Sequence, residues 1–263
     1  MGIAIAVHSY KGGTGKTLIS ANLAVLLSKM GRKVSLLDYD FRGPSLHILL
    51  RTKPKRWLND YLKGLCAVDE AFTEFPLRGT NGVLSASYAD PSPEAMRFMM
   101  TRDRKWESKA LRRILAAKRK LLQEDKVDYM IFDTSPGMYF SSVNAVAASD
   151  VVALIMKYDD FDIEGTRLLI EGITDALGKR TVLILNRIVC EGCGGPVPED
   201  ELQRIKTTIT KSLGRPVIGL LPCLWQLQRE GSKELFADSQ PDHLFVQTLQ
   251  GVAERIQELG TGR

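Results

Sequence analysis

Residues 7–18 read VHSYKGGTGKTL, a glycine-rich turn set between an apolar run and the start of a helical pattern. No other stretch limits the fold so strongly. Gly12, Gly13 and Gly15 allow a tight turn whose backbone N–H groups converge, those of Thr14 and Gly15 among them. A helix opening out of that turn brings its positive end to the same point. Lys16 adds a full charge, and the Thr17 hydroxyl is spaced to reach a Mg²⁺ ion on a bound phosphate. A buried strand, a phosphate-binding loop and a helix, in that order, open a parallel α/β fold.

The rest of the chain keeps that alternation. Short apolar, β-branched runs at 3–7, 34–37, 83–85, 129–132, 151–156, 181–185 and 217–221 predict strands. Helical patterns over 16–30, 57–65, 104–124, 163–177, 199–213 and 244–259 lie between most of them. The expected architecture is one α/β domain spanning 1–263, a mainly parallel twisted sheet with helices on both faces. YADPSPE (88–94) and CEGCGGPVPED (190–200) read as loops on one rim. The N-terminal run lacks a basic leader and a cleavage site, and no apolar run approaches the roughly 20 residues that cross a bilayer. Four cysteines in 263 residues make no disulfide framework, so a reducing cytoplasm is expected.

Tyr10 stands where the general phosphate-loop pattern has its first glycine, and Lys11 precedes the glycines instead. KGGTGKT resembles the deviant Walker A loop of the ParA/MinD/Mrp ATPases. The resemblance implies that Lys11 reaches across a homodimer interface to the partner's nucleotide, making ATP binding and dimerisation one event. It continues through LLDYD, where Asp38 would help hold the Mg²⁺ water shell and Asp40 would orient or activate the attacking water. In FDTSPG, Asp133 matches the Walker B aspartate and Gly137 the switch II glycine that senses the γ-phosphate. In LILNR, Asn186, followed by Arg187, matches the adenine-binding position, and Pro222 in GLLPCL falls in the loop that covers the base. Lys11, Lys16 and Asp40 are the catalytic residues this resemblance implies, in a slow, switch-type hydrolysis of ATP. Each motif ends a predicted strand, where open α/β sheets bind ligands.

Three features bear on the branch of the family. Cys190 and Cys193 form a Cys-x-x-Cys like that of the Mrp-type iron–sulfur carriers; two pairs across a dimer supply four thiolates for Zn²⁺ or a [4Fe–4S] cluster. Residues 102–120 hold nine Lys/Arg against two acidic residues on an amphipathic helix. That face is either solvated or a footprint for nucleic acid, anionic lipid or an acidic partner. After the last predicted helix only GTGR follows, which offers no amphipathic membrane-targeting tail. The leading expectation is a ParA/MinD-like regulatory or positioning ATPase with an unidentified protein partner or activator. A metal-carrying ATPase and a nonspecific nucleic-acid-binding ATPase are the alternatives.

Overall fold

The computed structural model describes residues 2–77, 79–189, 197–230 and 234–260. The run IAIAVH forms β1 (Ile3–His8), buried on both faces, as a central parallel strand requires. Ile5 and Val7 join one core layer while Ala4 and Ala6 point to the other face, the alternation that the pleat imposes. β2 (Lys33–Tyr39), β3 (Thr73–Phe75), β4 (Val83–Ser87), β5 (Tyr129–Thr134), β6 (Val151–Met156), β7 (Arg180–Ile188) and β8 (Val217–Pro222) complete the sheet. Its order is β3-β4-β2-β5-β1-β6-β7-β8, and only β3 runs antiparallel to its neighbour. The chain leaves β1 for β2 on one side, and leaves β5 for β6 on the other. The carboxyl ends of β1, β2 and β5 therefore open a crevice.

The helices are α1 (Lys16–Lys29), α2 (Leu46–Leu49), α3 (Leu58–Lys63), α4 (Pro93–Met100), α5 (Arg104–Arg119) and α6 (Phe140–Ala148). They continue with α7 (Asp160–Leu169), α8 (Glu199–Leu213), α9 (Trp225–Glu230), α10 (Phe236–Ser239) and α11 (Leu244–Gly260). One face of the sheet packs Ile19, Leu23 and Leu27 of α1 with Phe236, Phe245 and Leu249. The other packs Leu58, Tyr61 and Ile114 near its middle and Ile205, Ile209 and Leu213 of α8 farther along.

Two expected boundaries shift for visible reasons. The stretch 88–94, read as a loop, ends in the first turn of α4: the Ser92 hydroxyl caps it, accepting from Ala95 N–H at 3.3 Å, and Pro93 fills the first helical position. The helices expected over 104–124 and 163–177 each finish as a wider π turn, at Lys120–Glu124 and Ile170–Asp175. The second starts three residues early because Asp159 caps it, accepting from Asp162 N–H at 2.9 Å.

The basic segment is less available than its composition suggests. Arg102 stacks on Phe98 at 3.8 Å and Arg113 faces Tyr61 at 5.8 Å. Lys118 pairs with Asp150 at 2.5 Å, and Lys120 with Asp69 and Asp125 at 3.1 Å. Arg104, Lys105, Lys109, Arg112 and Arg119 are left exposed and, among the described residues, without an ion pair.

On the inner side of the same helix Glu107 is buried against α6, accepting from Asn144 Nδ2 at 2.8 Å. Burial lifts its pKa from 4.5 to about 7. An acid that holds its proton more tightly when folded costs stability as pH rises from its ordinary value to the folded one, and the cost stays above it. Glu107→Gln keeps an oxygen for Asn144 and removes that cost. The variant is expected to melt a few degrees above the parent at pH 8, a gain of about 1 kcal/mol, with the difference closing toward pH 4.5. Melting curves at the two pH values check it, and a variant less stable at pH 8 contradicts it.

Candidate functional site

β1 ends at His8, and residues 9–15 turn from it into α1. Gly13 and Gly15 sit at φ of 75° and 95°, where a side chain is strained. Gly15 also lacks room: a Cβ there meets the amide of Asn186. That amide donates to the Thr14 carbonyl at 2.8 Å, so the end of β7 fastens the phosphate loop. Asn186 Oδ1 accepts from Arg187 N–H at 2.9 Å, and Ile188 pairs with Pro222 on β8. The three residues expected at the base thus share one rim.

Lys16 is buried, its Nζ donating to Ser9 Oγ at 2.9 Å, while Ser9 Oγ donates to the Lys11 carbonyl at 2.6 Å. Burial pulls the Lys16 pKa down, against the charges of Asp133 and Asp40. His8 is buried with Nδ1 2.6 Å from Thr134 Oγ1, and burial, reinforced by Lys16, holds its pKa at about 3. It is a neutral ring under the loop.

Asp38 and Asp133 are register partners on β2 and β5, which places the two carboxylates side by side. Burial, then the charges of Asp133 and Asp40, push Asp38 well above the usual carboxylate range. Its oxygens accept from Asp40 N–H at 3.2 Å and Leu46 N–H at 3.3 Å. Asp133 is fully buried and pushed up to about 7 by that burial. Neither of its oxygens makes a hydrogen bond of good geometry, although the nearby Thr17 and Ser20 hydroxyls draw its pKa down. Two orphaned buried oxygens beside a second carboxylate fit a hard divalent cation. Among the described residues no group of three or more His, Cys, Asp or Glu side chains forms a ready metal cage. A Mg²⁺ held here would have to take its remaining ligands from phosphates and water. Cys190 and Cys193 lie outside the described residues.

Asp40 lies just past β2. Its Oδ1 accepts from Arg42 N–H at 3.2 Å, Gly43 N–H at 3.1 Å and the Ser135 hydroxyl at 2.6 Å. Ser135 ties the segment after β2 to the segment after β5, a link that sequence reading missed although the serine follows Asp133 by two. Gly137 has φ of 79°, and its N–H donates to the Ser9 carbonyl at 2.9 Å. Reaching a γ-phosphate requires breaking that bond.

Lys11 points away from the cradle. Its Nζ lies 3.5 Å from Asp162 Oδ1 and 4.8 Å from the centroid of the Phe161 ring, both on the first turn of α7. Beside it an open cleft of about 830 Å³ is lined by Tyr10, Gly12, Pro136, Gly137, Met138, Tyr139 and Leu168. Met138, Tyr139, Phe140 and Leu168 are all exposed around it.

A strand–glycine loop–helix at the sheet's crevice, with a buried lysine and two strand-end aspartates, defines a P-loop nucleotide-binding protein. A family profile described as an AAA domain matches residues 2–182. An uncharacterised ATP-binding protein of Methanocaldococcus jannaschii is 32% identical over 224 residues, covering 84% of this chain and 75% of that protein. The antiactivator FleN of Pseudomonas aeruginosa is 31% identical over 172 residues, 64% of this chain and 55% of FleN, so the chain spans about half of that relative. In fold it is similar to the septum site-determining protein MinD of Pyrococcus horikoshii, solved with Mg-ADP. The TM-score is 0.77 at 23% identity, over 98% of this chain and 97% of MinD. The chain belongs to the ParA/MinD family of P-loop ATPases.

Proposed function

We propose that the protein is a Mg²⁺-dependent ATPase that closes as a homodimer around ATP and uses slow hydrolysis as a timed switch for a regulatory or positioning partner. The position of Lys11 carries this reading. It stands on the rim of the crevice, outside the phosphate cradle, beside an apolar cleft edge that suits contact with a second copy. In this reading Gly12, Gly13, Thr14 and Gly15 offer backbone N–H groups to the phosphates, and Lys16 their main charge. Thr17, Asp38 and Asp133 hold Mg²⁺ with its waters, and Asp40 orients the attacking water. Asn186, Arg187 and Pro222 border the base. The regulatory role draws on the name of FleN, an antiactivator. No helix among the described residues is long and apolar enough to cross a membrane, and the unpaired cations of α5 offer a surface for a polyanion.

Light scattering with and without ATP–Mg²⁺ tests the switch. Lys11→Ala is expected to bind ATP within about threefold of the parent yet fail to dimerise, because it removes a charge aimed outside the cradle. Asp40→Ala is expected to accumulate ATP-bound dimer, with hydrolysis reduced roughly a hundredfold as the water loses its orienting group. A Lys11→Ala protein that dimerises and turns over like the parent refutes the cross-subunit role.

The metal-carrying reading rests on the Cys190–Cys193 spacing. It expects about one zinc or iron–sulfur site per dimer in protein purified without oxygen, lost in Cys190→Ser and Cys193→Ser alike. Metal-free protein with both thiols alkylated rules it out.

A further inference from the structure

A small cavity of about 80 Å³ lies where the segments that follow β2 and β5 meet α4 and α5. Phe41 and Met99 are buried in its wall, while Met100, Tyr139 and Phe140 line it about half exposed. The acid of the lining, Glu107, is buried and bonded to Asn144. None of the residues assigned to phosphate, Mg²⁺ or base takes part. A cavity roughly twice this size takes a benzene ring, so this one suits a leucine or methionine side chain and excludes an indole.

Arg42 and Arg102 complete the lining. The Arg42 guanidinium lies 3.9 Å from the centroid of the Tyr139 ring and has no carboxylate partner among the described residues. Arg102 donates from Nε to the Phe98 carbonyl at 2.7 Å and from Nη2 to Thr101 Oγ1 at 3.1 Å, so it too meets uncharged oxygens. Asp103 is committed to capping α5, accepting from Trp106 N–H at 2.9 Å. Two planar guanidiniums beside an apolar hole, neither neutralised, are prepared for carboxylates.

The cavity is tied to the nucleotide crevice. Ser142 donates to the Ser135 carbonyl at 2.8 Å, and the Ser135 hydroxyl donates to Asp40 at 2.6 Å. Gly137, with its N–H on the Ser9 carbonyl, stands two residues before Tyr139. Turning Gly137 to a γ-phosphate pulls on Tyr139 and Phe140, and so reshapes the cavity.

We propose that this cavity docks an acidic segment of a protein partner, seating one leucine or methionine against Phe41 and Met99 and its carboxylates on Arg42 and Arg102, and that ATP weakens the docking. The first part stands on the cavity alone. The second rests on the reading of Gly137 as the γ-phosphate sensor, and gives the partner of the proposed switch its chemistry.

The probe is a set of short peptides, each with a central leucine, methionine, tryptophan or serine flanked by glutamate, serine or lysine, titrated with the full chain by fluorescence anisotropy. Without nucleotide, the glutamate-flanked leucine and methionine peptides are expected to bind about tenfold more tightly than serine-centred, tryptophan-centred or lysine-flanked ones. Met99→Trp fills the cavity and Arg102→Glu reverses a charge at its edge, and each is expected to lose about tenfold. Should Met99→Trp fail to fold, Arg102→Glu decides alone. ATP–Mg²⁺ is expected to weaken the peptide about fivefold relative to ADP–Mg²⁺, and the peptide to weaken ATP relative to ADP by the same factor. Absence of peptide binding, or equal binding by Arg102→Glu, overturns the docking. Self-association lost in Arg102→Glu, with no peptide bound by the parent, gives the cavity to a second copy and overturns it as well. Equal peptide affinity with ATP and ADP, in a chain that binds both, overturns the control by ATP. A chain that binds the peptide but no ATP removes the ATPase reading and leaves the docking in place.

Discussion

Lys16→Ala is expected to abolish tight ATP binding while leaving the protein folded. The crevice already holds Asp38, Asp40 and Asp133, and Lys16 is the cation whose charge offsets Asp133. A nucleotide brings further negative charge to the same place. Without the ammonium, phosphate repulsion goes unanswered, and the backbone N–H groups and helix end supply only partial charges. Removing one partner of a buried, hydrogen-bonded charge pair costs about 3–4 kcal/mol, a loss of a hundredfold to a thousandfold in affinity. Folding is spared because Ser9 Oγ keeps its bond to the Lys11 carbonyl, and α1 is held by Ile19, Leu23 and Leu27 in the core. Calorimetric titration with ATP–Mg²⁺ measures the loss. Retention of affinity within tenfold, with an unchanged circular dichroism spectrum, means that the phosphates sit elsewhere.

The parts of this site that could be read from sequence are those fixed by local stereochemistry. A glycine loop between a strand and a helix turns its N–H groups toward one point, and aspartates near the carboxyl ends of parallel strands lie on the rim where such sheets bind ligands. The structure holds Gly13 and Gly15 at positive φ in the loop, Lys16 at the start of α1, and Asp38 and Asp133 in register on β2 and β5. What could not be read depends on contacts between distant segments. Lys11 and Asp162 are brought together by the packing of the loop on α7, and Asn186 reaches Thr14 across 172 positions. Ser135 touches Asp40 only because β2 and β5 are neighbours. Among the elements, the three-residue β3 is too short to show an alternation. α6 buries Ser142 and Asn144 alongside Ala145 and Val146, which blurs its apolar face. α4 is a different case. Ser92 and Pro93 are a legible helix start, but they sit in a proline-rich stretch that also suits a loop, and only the structure decides.

Asp133→Asn is expected to strengthen the ligand-free fold and to disable the enzyme. A buried carboxylate with two unbonded oxygens resists ionisation, and its pKa rises from 3.8 to about 7. The folded state therefore binds its proton more tightly than the unfolded chain, so stability falls as pH rises from about 4 to about 7 and stays lowered above it. The full penalty above pH 7 is at most about 4 kcal/mol. Asp38 leans the same way, through burial and the neighbouring charges. Asparagine at 133 cannot ionise, so in metal-free buffer at pH 8 the variant is expected to melt about 5 °C above the parent and to lose most of the pH slope. The same change removes a negative ligand from the proposed Mg²⁺ position. Addition of Mg²⁺ with nucleotide, which stabilises the parent by mass action, is then expected to raise the variant's melting temperature far less, and hydrolysis to fall a hundredfold or more. The two effects have opposite sign at one atom pair, because the cost of the empty carboxylate is the affinity of the filled one. A variant that is less stable than the parent without metal, or that responds to Mg²⁺ as the parent does, places the cation away from Asp133.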